Sequence, residues 1–388
     1  LHGPFILLSY FLWFLPYQQV RFAAETWSGL LFLLGLSVLL GSSVRNRSWL
    51  IAGVCFGVCA QMKPSMIVAC GGAVCWALLN SETQGRSLAR LVSGGVIALA
   101  LGAVVDSWFY NEPIHTLWNY LYKNSLSISK VHPLPVASET YPWWYYFPWI
   151  IKYGIWPIGA LLLGSLLWLT YRAPRSLMVW CIWPYLVLVS AIPHKELRFL
   201  FPLVDLAPLV LVLAWQEFEK TTSRFAAHSA IVRGALNLTL VALLMVNAGG
   251  LITAGLTAAG SGRVRLAERM IAIHPSDPMT VGYILNEPMI WDIRVPEFYL
   301  WGDFVDVGTF DPCASPSVLS DPKTPALLIA PEDEGSSAGC TLDSISYYPF
   351  ARSEAAWATF MLDLYNSERH GPYVLYANDR SPSPPSEP

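Results

Sequence analysis

Apolar residues run together for stretches long enough to cross a bilayer, and short polar segments separate them. Runs of roughly spanning length fall at about 4–20, 27–44, 49–62, 64–80, 88–107, 149–171, 176–192, 198–216 and 231–257. The pattern predicts about nine helical spans over residues 1–257. The third and fourth are short, with Pro64 marking a break or tight turn between them. From 263 to 380 the pattern changes. "TVGYIL", "PALLIA" and "PYVLYA" are short apolar runs bounded by Pro, Gly, Asp and Asn and read as strands, while "EAAWATFMLDLYN" has helical spacing. The expected fold class is therefore an α-helical polytopic membrane protein with a small C-terminal α/β extramembrane domain. The tail 381–388, "SPSPPSEP", has the composition of a disordered segment.

Charges in the connections orient the spans. Arg45 and Arg47, Arg86 and Arg90, Arg172 and Arg175, and Lys220, Arg224 and Arg233 fall in alternate connections, hence on one side, which the positive-inside rule makes cytoplasmic. The other side receives "QQVRFAAET", the Lys63 turn, a long loop at 108–148, "PHKELRF" and everything after about residue 258. Every unusual polar cluster then lies on the non-cytoplasmic face. The long loop is too polar for a span and rich in aromatic rings. Its prolines 133, 135, 142 and 148 rule out a continuous helix after residue 130, so a re-entrant or interface-lying segment is expected.

Composition agrees with the pattern. Charged residues make up 13% of the chain and hydrophobic residues 54%, with mean hydropathy +0.44; soluble domains carry about 25% charged residues. A net charge of −3 with no basic aromatic patch argues against a nucleic-acid partner. Seventeen Trp and eighteen Tyr suit a protein with many membrane interfaces. Cys55, Cys59, Cys70, Cys75 and Cys181 lie in apolar segments and read as small buried hydrophobes, without the His or acidic company of a metal site. Cys313 and Cys340 lie in the polar C-terminal region, where an oxidising space would permit a disulfide. The chain opens at Leu1 already approaching a span, as an N-terminally truncated sequence would. No Walker loop, HExxH, GxSxG, D-x-D or internal repeat occurs, and no cofactor or metal is indicated.

One segment resists a plain transmembrane reading. "HKELRFLFP", residues 194–202, sets His194, Lys195, Glu196 and Arg198 at the start of an apolar run that carries Asp205 further in. An ionisable group at mid-bilayer costs roughly 2.5–3.5 kcal/mol on insertion scales, so this cluster belongs at an interface or in a watered cavity. If 194–201 opens a helix, His194 and Arg198 share a face with Lys195 close by, a set suited to an anionic group such as a phosphate. A snorkelling interfacial cluster, with Glu196 neutralising a neighbour, is the plainer alternative. Arg21 and Glu25, Lys63, and Asp106 followed by Trp108, Phe109 and Tyr110 reach the same side. Together they suggest a polar cavity beneath the aromatic loop, with Asp205 deeper and expected to pair with a cation.

"HKELRFLFP" resembles the H-K-E-x-R-F-x-x-P signature of the lipid-phosphate-mannose-dependent mannosyltransferases of GPI-anchor and N-glycan assembly. "RFAAETWSGLLF", "DSWFYNEPIHTLWNYLYKN" and "ETYPWWYYFPW" are similar, in order, to three further segments of that family. The likeness covers about residues 1–216. It departs where Asn111 replaces a usual Gly, and where Glu139 and Thr140 precede Tyr141 without that loop's Gly.

The resemblance implies a glycosyltransferase-C fold with its site on the lumenal or periplasmic face, in an ER membrane or a bacterial inner membrane. It implies an inverting hexosyl transfer from a polyprenyl- or dolichyl-phosphate-mannose donor to a glycan or glycolipid acceptor. The usual carboxylate base of the family would precede Leu1. On this reading His194, Lys195 and Arg198 stabilise the donor phosphate and Glu196 orients them. Arg21 and Lys63 support the phosphate, Glu25 and Asp106 position the acceptor, and Tyr110, Trp143, Trp144 and Tyr145 bind substrate or cover the site. The rivals are a transporter or flippase for a lipid-linked or anionic solute, and a non-catalytic subunit of a glycan-assembly complex.

Overall fold

The computed structural model describes residues 2–20, 22–41, 46–79, 85–122, 141–192, 195–226 and 230–256. Beyond these it describes 264–266, 268–270, 279–283, 304–309, 327–331, 347–353, 355–365 and 373–378. Two compact units divide the chain, Leu1–Leu251 and Ile252–Pro388.

The first unit is helical. In order it has α1 (His2–Phe11), α2 (Phe14–Gln19), α3 (Ala24–Leu40), α4 (Asn46–Met62), a 3₁₀ turn Pro64–Met66, α5 (Ile67–Leu79), α6 (Gly85–Tyr110) and α7 (Thr116–Leu121). A 3₁₀ turn Trp143–Tyr145 leads into α8 (Tyr146–Tyr153), then α9 (Ile158–Arg172) and α10 (Leu177–Ala191). A last 3₁₀ turn, Leu197–Leu200, precedes α11 (Phe201–Val204), α12 (Ala207–Ala226) and α13 (Ala230–Leu256). Each apolar run of the sequence is helical, but three runs expected as single spans are broken.

The breaks have one cause. A proline lacks the amide hydrogen and its ring clashes with the carbonyl four residues upstream. Pro16, Pro157 and Pro208 lie four residues after Leu12, Tyr153 and Val204, where α1, α8 and α11 give out. Helices α11 and α12 meet at 61°. Between α8 and α9 the chain turns through Ile155, which takes a left-handed φ of 61°. Pro184 sits inside α10 without ending it. The carbonyl it deprives of a partner, that of Trp180, lies against Gly72 of α5, where an added Cβ would overlap it. Close approach by a glycine from the neighbouring helix is how such carbonyls are accommodated in membranes.

Helices α4 and α6 run parallel and nearly touch along a row of small residues. A Cβ at Gly53 would overlap the Leu91 carbonyl, one at Gly94 the Leu50 carbonyl, and one at Gly57 would lie 2.7 Å from the Gly95 carbonyl. Gln61 Nε2 closes the row with a 2.7 Å bond to the Ala98 carbonyl. The outer face of α6 leaves Val96, Leu101, Val104 and Val105 exposed, and α13 leaves Leu238, Leu244 and Met245 exposed. Apolar area of this extent is a lipid-facing surface. By length and composition α6 and residues 234–256 of α13 can cross a membrane, and the bent pair 197–221 makes a third. Helices α3, α4, α5, α9 and α10 are apolar but at most 17 residues long, about 25 Å at 1.5 Å per residue. Of the cysteines in these helices, Cys55, Cys59, Cys70 and Cys181 are buried as expected, and Cys75 is exposed.

The second unit carries a five-stranded sheet in the order β2-β1-β3-β5-β4, with β1 (Met279–Tyr283), β2 (Phe304–Thr309), β3 (Leu327–Pro331), β4 (Tyr347–Arg352) and β5 (Tyr373–Asn378). Strand β1 pairs in parallel with β2 and β3, and β5 is antiparallel to β3 and β4. Central β3 is buried on both faces. Leu327 and Ile329 join Leu266, Met270 and Leu375 on one side; Leu328 and Ala330 join Tyr347, Val374 and Tyr376 on the other. Two-sided burial is why "PALLIA" is continuously apolar. Helix α14 (Ala356–Tyr365) follows β4. Strands β2 and β4 escape the sequence pattern because Asp306 interrupts one and Pro349 the other. Pro349 is tolerated because β4 is an edge strand with an irregular register there. Cys313 and Cys340 lie outside the described residues.

Candidate active site

The helical unit has two polar ends. Trp76 Nε1 donates to the Arg175 carbonyl at 2.8 Å, so the α5 end and the α9–α10 turn share one end. At the other end the start of α3 meets the turn after α4, where Lys63 Nζ and Glu25 Oε1 form an ion pair of 2.7 Å. Both side chains are nearly buried, at 11% and 14% exposure. The ring of Phe199 covers the Lys63 ammonium at 5.2 Å.

Residues 195–200 complete this end, in a form the helical reading of 194–201 did not anticipate. Glu196 is extended, with φ −133° and ψ 141°, and only at Leu197 does a 3₁₀ turn begin. The segment is thereby split into an inward and an outward half. Lys195 faces in. It is 4% exposed, and its ammonium donates at 2.8 Å to both the Ser190 and Ile192 carbonyls at the end of α10. Those carbonyls have no helical partner of their own, so Lys195 acts as their cap. Its charge also sits 5.2 Å from the centre of the Tyr146 ring, and burial pushes its pKa below the ordinary lysine range. Lys195 is therefore not presented beside Arg198 as the sequence suggested. The reason is local: a free carbonyl terminus lies within reach of a flexible cation.

Arg198 faces out, its side chain 59% exposed, and grips Glu196 with two bonds, Nη2 to Oε1 at 3.0 Å and Nε to Oε2. Such a fork holds a guanidinium in a fixed plane. Glu25 and Tyr120 lie within electrostatic reach of Arg198. Helix α7, which carries Tyr120, packs on the Pro64–Met66 turn and is opened by Asp106, whose Oδ2 accepts the Thr116 amide at 3.1 Å.

The structure thus gathers Glu25, Lys63, Glu196 and Arg198, with Lys195 behind them and Asp106 linked through α7. His194 and Arg21 lie outside the described residues. Tyr110 is exposed, edge-on to Phe109. The aromatic loop divides as well. Trp143 and Trp144 are exposed at 66% and 48%, while Tyr145 stacks on Tyr141 at 4.2 Å and both pack on Trp149. Asp205, expected to pair with a cation, has none among the described residues. It is 3% exposed beside Gln19, at the α11–α12 break.

Four residues of this end escaped the sequence reading. Tyr146 and Tyr185 donate to the Glu196 and Phe199 carbonyls, Ser65 joins the Tyr185 phenol, and Phe199 covers Lys63. Burial pushes the Tyr146 phenol up to about 12, so it is a proton donor at any physiological pH. The one available signal was a tyrosine inside the apolar run of α10, whose hydroxyl must find a partner when buried.

The profile of the Alg9-like mannosyltransferase family matches residues 4–276. The chain belongs to the Alg9-like mannosyltransferase family. Membership accords with the helical unit and its membrane-length helices, and the matched residues end just before β1. The chain is 26% identical over 199 residues to a protein of Danio rerio described as GPI alpha-1,2-mannosyltransferase 3. The match takes in 51% of this chain and 35% of that relative, so the chain spans well under two thirds of the fish protein. No solved structure matches.

Proposed function

We propose that this Alg9-like chain transfers mannose from a polyprenyl- or dolichyl-phosphate-mannose donor to a glycan or glycolipid acceptor on the non-cytoplasmic side of its membrane. The observation that carries the reading is the convergence of Glu25, Lys63, Glu196 and Arg198 at one end of an apolar bundle. A lipid-linked phosphate needs a cation at the membrane edge and apolar surface below it, and the exposed Arg198 at one end of an apolar bundle supports that match. The positive-inside bias of the opposite connections supports the face.

The reaction is a single displacement. An acceptor hydroxyl gives its proton to a carboxylate and attacks the anomeric carbon from the side opposite the phosphate. The bond from that carbon to the phosphate oxygen breaks, its electron pair leaves on the lipid phosphate, and a β-linked donor yields an α-mannoside. Charge grows on the leaving phosphate, and a preorganised cation stabilises it most where water is scarce. Arg198, exposed and fixed in plane by Glu196, is the described residue best placed for that role, with His194 its partner in sequence. Glu25 is ionised against Lys63, which suits orienting an acceptor hydroxyl better than taking its proton. The exposed rings of Trp143 and Trp144 offer flat apolar faces to an acceptor sugar.

The test is a transfer assay on the full chain in proteoliposomes, with radiolabelled mannose supplied either on a polyprenyl phosphate or as a nucleotide sugar. Transfer from the lipid donor, lost in Arg198→Ala and absent with the nucleotide sugar, is the expected result. Transfer from the nucleotide sugar, or movement of the lipid donor across the bilayer without transfer, rejects the reading in favour of another donor or of a flippase.

A further inference from the structure

We propose that Tyr146 and Tyr185 are positioning residues for this transfer, two buried phenols that pin the 195–199 segment at two of its carbonyls so that Arg198 is delivered in a fixed pose. The inference rests on the donor-phosphate role given to Arg198 above.

Within residues 195–199 the backbone's own hydrogen bonds are few and local. Extended Glu196 makes no helical ladder, and the 3₁₀ turn supplies only short-range bonds, among them the Phe199 amide to the Glu196 carbonyl at 3.1 Å and the Phe201 amide to the Arg198 carbonyl. A single turn of 3₁₀ helix is weakly held. The two carbonyls that bound the turn are each also held by a phenol. Tyr146, 1% exposed, donates to the Glu196 carbonyl at 3.2 Å; Tyr185, fully buried, donates to the Phe199 carbonyl at 2.7 Å. Arg198 lies between these anchors.

Each phenol also ties in a second part of the site. The Tyr146 ring lies beneath the Lys195 ammonium, which holds the segment's first residue to α10. The Tyr185 hydroxyl reaches Ser65 at 3.2 Å, two residues beyond Lys63, whose ammonium is covered by the ring of Phe199. Tyr185 thus links the turn bearing Lys63 to the turn bearing Arg198, and one hydroxyl sets the spacing of both cations. Phe would fill the same volume without a polar atom to satisfy, so the role of each phenol oxygen can be tested apart from that of its ring.

Tyr146→Phe and Tyr185→Phe each delete one oxygen and keep the ring. The experiment measures hydrogen–deuterium exchange of peptides covering 195–200 in detergent-solubilised full chain, together with kcat and donor KM in proteoliposomes. Expected are faster exchange in 195–200, unchanged exchange in α5, and a kcat lowered about ten-fold with donor KM within two-fold, ten-fold being 1.4 kcal/mol of barrier. Unchanged exchange in both variants overturns the inference, and so does faster exchange with wild-type kcat, which makes the phenols structural only. If the unaltered chain transfers no mannose, the functional proposal fails, and the exchange data alone decide whether the phenols pin the segment.

Discussion

Lys63 and Glu25 join the turn after α4 to the first turn of α3 through a 2.7 Å ion pair that solvent scarcely reaches. Removing one partner strands the other. Breaking a buried pair from one side typically costs 3–5 kcal/mol, while removing both charges together is far milder. Lys63→Met and Glu25→Gln should each lower the melting temperature of the detergent-solubilised protein by several degrees, and the double variant should recover at least half of the loss. A double variant as unstable as the sum of the singles would show that the charges act separately.

Asn111 ends α6 in the left-handed region, with φ 54°. Gly enters that region freely and Asn is the next most tolerant, which explains how Asn stands where the resembling segment of the family usually has Gly. Asn111→Gly should leave stability within about 0.5 kcal/mol, the scale of an unstrained surface change. Asn111→Val, a β-branched residue forced into that region, should cost roughly 1–2 kcal/mol and loosen the entry into α7. Thermal shift of both variants, with the Thr116 amide followed by exchange, checks the pair.

What the sequence revealed of this site and what it hid follow from physics. Hydrophobic run length located the helices of the first unit apart from α7, which lies in the polar loop at 108–148, because burial of apolar surface in lipid leaves the pattern little freedom. Charge in a greasy run located Lys63, Glu196 and Arg198, because such charges are too costly to stand anywhere but an edge. Orientation was not legible. Whether Lys195 points outward like Arg198 or caps α10 is decided by two carbonyls, those of Ser190 and Ile192, which belong to the backbone and leave no mark in the sequence. The broken helices were half legible: Pro16, Pro157 and Pro208 were visible, yet Pro184 has the same chemistry and ends nothing. The difference is Gly72, more than a hundred residues away.

Gly29 and Asp205 test packing one turn below the Glu25 pair. A Cβ on Gly29 would lie 2.5 Å from Asp205 Oδ2 and 2.9 Å from the Pro202 carbonyl. Gly29→Ala should therefore force α3 away from α11 at a cost of about 1–3 kcal/mol, the usual range for overpacking. Adding Asp205→Ala removes the side-chain clash but not the carbonyl one, so the double variant should recover part of the loss. Full recovery would mean that the carboxylate alone sets the approach of the two helices; no recovery would mean that the backbone does.

Lys195 and Arg198 are three residues apart, carry the same charge, and should fail in different ways. Lys195→Met removes a cap from two buried carbonyls and a cation from the Tyr146 ring; hydrogen bonds from a charged group are worth about 1.5–3 kcal/mol each. Its first consequence should be a lower melting temperature, with activity lost in step with folded protein. Arg198→Met removes an exposed guanidinium whose bonds among the described residues go to Glu196, and a surface pair contributes about 0–1 kcal/mol. Its melting temperature should stay near that of the unaltered chain while transfer from the lipid donor falls by at least ten-fold. Thermal shift and transfer measured on the same preparations separate the two. Were Lys195→Met to keep its stability and lose donor binding, Lys195 would be the phosphate ligand, and the inward pose seen here would have to open before the donor arrives.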